Sequence, residues 1–167
     1  MSAVLEAELL VHLDTQINSA RRLLGFVLEQ GKAIRTRDVD TVLARLTDVQ
    51  TEMGRRGALE QERAALLQRA GAALSVPAAQ VTLERLCSLV SPGAADAARQ
   101  RSAELRGLLA EIAREHGINR ALMRQELAFL AHLTRLVGQD TDPGYGRPGT
   151  EGGPKPPPIH RALDLQA

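Results

Sequence analysis

Four histidines, one cysteine and one tyrosine are the residues of this chain best suited to coordination, nucleophilic or redox chemistry. A metal site inside a helical bundle needs Glu-x-x-His pairs, so that a carboxylate and an imidazole share one helix face. Three residues before His12, His116, His132 and His160 stand Leu9, Ala113, Phe129 and Pro157, and no such pair forms. No Cys/His spacing suits zinc either. Cys87 lies among Leu86, Leu89 and Val90, the setting of a small buried hydrophobe and not of an activated thiol. No glycine-rich phosphate loop follows a strand, because no strand pattern occurs. The expectation is no enzyme, no catalytic residue, no metal and no cofactor.

Other polar clusters are weaker still. Arg55, Arg56, Arg99, Arg101 and Arg106 could touch nucleic acid, but Glu52, Glu60, Asp96 and Glu104 intersperse them, as on a solvated mixed-charge face. Glu60 and Arg63 stand three apart and pair along a helix, either as a surface ion pair or as a polar notch that fixes helix register. Tyr145 is the only tyrosine and is bracketed by Gly144 and Gly146. An amphipathic ring between two flexible residues is a typical interface anchor, unless it folds back on the helices. Pro154 to Pro158 reads as a polyproline ligand or as a solubilising linker.

The elements that must position these residues follow from proline. Only Pro77 and Pro92 occur before residue 139, whereas six prolines crowd the last 29 residues. Interior proline costs a helix about 3 kcal/mol, so the first part is free to run as long helices. Leu5, Leu9, Leu13, Ile17, Ala20, Leu24, Val27 and Ile34 make one face of a helix over about 3–35. Leu10, Leu23 and Leu28 widen that stripe, which predicts more than one neighbouring helix. Asp38 reads as the next N-cap, opening a helix to about Leu74 with Val39, Val42, Leu46, Val49 and Met53 on its face. Gly54 and Gly57 predict a bend or fray within it. Ser75-Val76-Pro77 predicts a short helix carrying Leu83, Leu86 and Val90. Ser91-Pro92 is a cap followed by proline at the first helical position, starting a last helix that Gly138 stops. In that helix Leu130 is expected to face the bundle, continuing the stripe of Ile112 and Leu133.

Aromatics are 2% of the residues, which argues against the aromatic-walled pockets of most enzymes. A core of Leu, Val, Ile and Ala suits thin helical hairpins. A net charge of +1 from 21 basic and 20 acidic residues gives no general reason for a nucleic-acid or membrane partner. No apolar run approaches the roughly 20 residues that span a bilayer, and the N-terminal residues do not read as a signal peptide. With one cysteine, the expected location is cytoplasmic. The expected fold is all-α: an elongated antiparallel bundle of three long helices and one short helix over 1–138. Residues 139–167, with eleven of the chain's 22 glycines and prolines, are expected to be a disordered tail. Within it, Ile159 and Leu163 recover a helix-like spacing too short to fold alone.

The order of several pieces resembles the FlgN-type flagellar export chaperones. These are Asp38 opening the second helix, Leu59-Glu60-x-x-Arg63-x-x-Leu66-Leu67 within it, Asn119-x-x-Leu122 in the last helix, and Tyr145-Gly146-x-x-Gly149 just after it. Pro148 and the proline-rich extension depart from the family pattern. The resemblance implies a chaperone that binds hook–filament junction proteins, prevents their premature association and delivers them to the flagellar type III export gate, with the export ATPase complex as a further partner. It implies cargo contact through the last helix, at Leu122, Met123, Phe129, Leu133 and Leu136, and gate docking through Tyr145, Gly146 and Gly149. A structural coiled-coil scaffold is the alternative, which accounts for the helices but not for the tyrosine motif.

Overall fold

The computed structural model describes residues 2–139, with side chains over 3–136. Among them the chain is all-α, with no strand: α1 (Ser2–Thr36), α2 (Val39–Leu74), a single 3-10 turn (Ala78–Gln80), α3 (Leu83–Cys87) and α4 (Pro92–Gln139). It divides into a compact unit of residues 1–130 and a second unit of 131–167. The second is described only to Gln139, as helix. The expected disordered tail lies outside the described residues.

Helix boundaries come from caps. At the end of α1 the N–H groups of Arg37 and Asp38 donate to the carbonyls of Ile34 (3.2 Å) and Ala33 (2.9 Å). This closure needs a left-handed residue, and Arg37 supplies it at φ 57° despite its side chain. Asp38 then accepts from the Thr41 N–H (3.1 Å) and hydroxyl (2.6 Å), satisfying an otherwise orphaned donor of α2. The turn between the two helices is therefore only two residues long. Ser75 (φ 56°) ends α2 in the same way. There a Cβ on Gly71 would stand 2.7 Å from the Val76 carbonyl, so the chain can fold back only over glycine. Ser91 caps α4 through its hydroxyl, 3.3 Å from the Ala94 nitrogen.

Three expectations need correction. The segment after Pro77 is not one helix reaching Val90, but a 3-10 turn and a five-residue α3, because Thr82 caps a new start at Arg85 N (3.3 Å). Helix α2 passes through Gly54 and Gly57 without a break. Helix α4 continues one residue past Gly138.

Cross-helix pairs fix the topology. Glu8–Arg69 (2.7 Å), Arg22–Glu52 (2.9 Å) and Glu29–Arg45 (3.0 Å) run α1 against α2 in opposite directions. Glu6 on Ser91 N (3.1 Å), Asp14–Arg101 (2.6 Å), Arg21–Glu104 and Arg37–Glu126 (3.6 Å) run α4 along α1 in the same direction. The long helices thus go up, down and up, with α1 in the middle. Its buried residues Leu9, Ile17, Ala20, Leu23, Val27, Ala33 and Ile34 face both flanks, as the widened stripe predicts. A buried apolar cluster joins Leu9, Leu66, Ala70, Leu86, Cys87, Ala95 and Ala98, at the end of the unit where α3 lies.

The seams also bury polar groups. Glu52 of α2 is 1% exposed, although the apolar stripe predicts Met53 on that face; Met53 is exposed instead, with Val39 and Leu46. Arg22 Nε and Nη2 donate to its two carboxylate oxygens at 3.1 and 2.9 Å, and Arg55 adds a third bond at 3.3 Å. The Arg22 pair holds the Glu52 carboxyl below the usual carboxylate range, against the opposing effect of burial. On the other seam Asn119 of α4, also 1% exposed, donates through Nδ2 to the Val27 carbonyl at 2.8 Å. Its Oδ1 stands 2.5 Å from where a Cβ on Gly31 would be. Glycine at 31 lets the two backbones approach that closely.

Two predictions follow from these seams. Gly31→Ala should lower the melting temperature, by about 1–3 kcal/mol of overpacking; in an Asn119→Ala background the same change should raise it, since the roughly 1 kcal/mol helix gain of alanine is then unopposed. Arg22→Ala should cost about 2–3 kcal/mol in urea unfolding at pH 7, less than a fully enclosed pair because Arg22 reaches in from solvent and Arg55 remains. A carboxyl depressed in the fold contributes fully above its ordinary value of 4.5 and loses that contribution as pH falls through the lower one. The gap between wild type and Arg22→Ala should therefore shrink on acidification, and Glu52→Gln should flatten the acid limb of the stability curve.

Candidate partner-binding surfaces

Arg37, just past the end of α1, pairs with Glu126 of α4, so α1 has no helical residue left to cover Leu127, Phe129 and Leu130. These are 64%, 50% and 55% exposed, and Met123 is exposed as well. At the same end of the unit, α2 begins with exposed Val39, Leu43 and Leu46. Isolated exposed leucines are ordinary, but this many large apolar groups at one end mark an interaction surface.

The structure places the expected cargo residues as follows. Leu122 is half-buried; Met123 and Phe129 are exposed. In the second unit, Leu133 and Leu136 are exposed. Leu130 does not face the bundle as expected: its position falls past the point where α1 ends. The stripe that does face inward is Leu105, Leu108, Ile112, Ile118 and Leu122, each half-buried, with Asn119 fully buried among them. Tyr145, Gly146 and Gly149 lie outside the described residues, as does His160. Sequence reading missed Leu127, Val39 and Leu43 as exposed apolar residues, because periodicity shows a stripe but not where its neighbour stops.

A second concave feature lies at the α3 end. Helices α1, α2 and α4 line a cleft of about 320 Å³, closed at one end by Val81, Leu83 and Leu86. Leu9, Leu13, Leu67, Leu105 and Leu109 form apolar walls, and His12, Gln16, Arg56, Glu60, Arg63 and Ser102 supply polar groups. Glu60 and Arg63 pair at 3.1 Å on the exposed surface. They form a rim ion pair and not the buried notch, a part that Glu52 plays instead. The Arg56 Nη1 atom is buried there with no hydrogen-bond partner.

Cys87 is buried with its thiol directed at the Ala95 carbonyl, 3.7 Å away, and burial pushes that thiol up, away from the reactive thiolate. Among the described residues no three His, Cys, Asp or Glu side chains are placed to hold a metal ion, and no helix is long and apolar enough to cross a membrane.

The family model described as "FlgN protein" matches residues 1–153 of this sequence. No curated protein and no solved structure matches it.

Leu130→Ala should change stability by less than about half a kcal/mol, the range of surface substitutions, where a core leucine would cost 2–5. Phe129→Ala should behave alike in thermal melts, and both should weaken partner binding if this surface is the contact.

Proposed function

The chain belongs to the FlgN family and is a flagellar export chaperone; from that premise we propose that it binds hook–filament junction proteins in the cytoplasm and delivers them to the type III export gate. The observation that carries the reading is the exposed apolar face at the end of the first unit, Met123, Leu127 and Leu130 at steps of four and three along α4. An apolar helix face of this kind takes an amphipathic partner helix through side chains at three- and four-residue spacing. Leu122 and Phe129, on another side of α4, are further cargo contacts, and Leu133 and Leu136 of the second unit are cargo contacts in their own right. Binding there shields the partner's helical end from premature assembly.

The second half of the proposal concerns the sequence after α4, which carries Tyr145 between two glycines. In this reading cargo occupies the helix and the tyrosine remains available to the gate, with Gly146 and Gly149 letting the backbone approach it closely. The two tasks are then separable by mutation. Tyr145→Ala should leave the melting temperature and cargo affinity near wild type while reducing export of that cargo. Loss of a central aromatic anchor typically weakens binding about thirtyfold, or 2 kcal/mol. A variant that melts markedly earlier, or that keeps full gate affinity, contradicts the assignment.

A further inference from the structure

The first unit has three long helices packed side by side, but α3, which lies between α2 and α4, is only five residues long. Where α3 stops, the space between α2 and α4 continues as the cleft over α1. This is the place that a fourth helix fills in a four-helix bundle. Its walls are leucines, Leu13, Leu67, Leu105 and Leu109 among them. Against this apolar lining two buried nitrogens make no hydrogen bond, His12 Nδ1 and Arg56 Nη1. His12 has the Glu62 carboxylate 3.7 Å away, which leaves Arg56. Arg56 Nη1 is buried beside the cleft and makes no hydrogen bond, whereas its neighbour Arg55 is bound to Glu52 and Arg63 to Glu60. A buried guanidinium nitrogen without an acceptor is costly, and a carboxylate is the acceptor that fits it best.

We propose that this cleft is a second binding site, which takes one amphipathic helix of a partner protein, with its apolar side chains against the leucine walls and an acidic side chain on Arg56. A volume of about 320 Å³ admits a few side chains of such a helix, not the whole of it, so the helix lies along the cleft in the line of α3. The site is distinct from the exposed residues of α4 beyond Glu126, and the inference does not depend on their role.

The test uses the full chain and a panel of 16-residue synthetic helical peptides. Each peptide carries leucines at i, i+3 and i+7, with a single glutamate walked through the intervening positions, and each has a glutamine twin. In fluorescence anisotropy at least one glutamate peptide should bind tenfold or more tightly than its twin, and Arg56→Gln should bring the pair within twofold. Amide chemical-shift mapping on the wild-type protein should place that peptide at Leu67, Ser102 and Leu105, which decides the site even if the variant does not fold. Equal binding of the twins, no binding by any peptide, a preference that survives Arg56→Gln, or shifts confined to Met123–Leu130 would each overturn the proposal. So would a dimer of the chain alone that buries the cleft.

Discussion

Everything in the first unit depends on α1 being packed on both flanks by a seam that contains a buried polar group. A core of Leu, Val, Ile and Ala with almost no aromatic residues offers many nearly equivalent ways for long helices to slide past each other, because leucine stripes match in more than one register. Glu52 and Asn119 remove that freedom. The carboxylate is satisfied only where Arg22 and Arg55 reach it. The amide is accommodated only where Gly31 leaves room and the Val27 carbonyl is within reach. Moving either helix by one turn, about 5.4 Å, would bury an unpaired charge or amide at a cost larger than any gain from repacking leucines. The two seams therefore set where α2 and α4 stand on α1, and hence which residues are left uncovered.

Uncovered residues are where function enters. At one end α3 adds Leu86 and Cys87 to the buried apolar cluster. At the other end α1 turns into α2 after two residues, while α4 goes on past Glu126 with its apolar side chains in water. A protein that shields another protein's helix and later gives it up can use such an end, because a contact made of a few leucines and a phenylalanine binds moderately and releases. Membership of the FlgN family and this geometry lead to the same reading.

Much of the fold was legible in the residues themselves. Pro92 and the caps Asp38 and Ser91 mark helix starts by local chemistry, and the structure uses both caps; Pro77 opens only a 3-10 turn. That α1 has more than one helical neighbour was legible from its widened stripe; of the residues that widen it, Leu23 is buried but Leu28 is exposed. What periodicity could not show is which polar residue a seam buries. Glu52 looks like any helix-surface glutamate until Arg22, thirty residues away, is brought beside it, and the burial of Asn119 shows only when Gly31 is placed opposite. The fate of Leu130 was illegible for the same reason: its spacing continues the stripe, but the neighbouring helix has ended. The exposed α4 residues were named from family resemblance, and among them only Leu122 is half-buried.

The central claim is that the uncovered end of α4 holds cargo. Hydrogen exchange of the full chain, with and without a hook–filament junction protein, measures this most directly. The account predicts that cargo slows exchange in α4 from Leu122 through Leu136 and leaves α1 and the second half of α2 unchanged. Protection spread evenly over the helices, or absent from that part of α4, would contradict it.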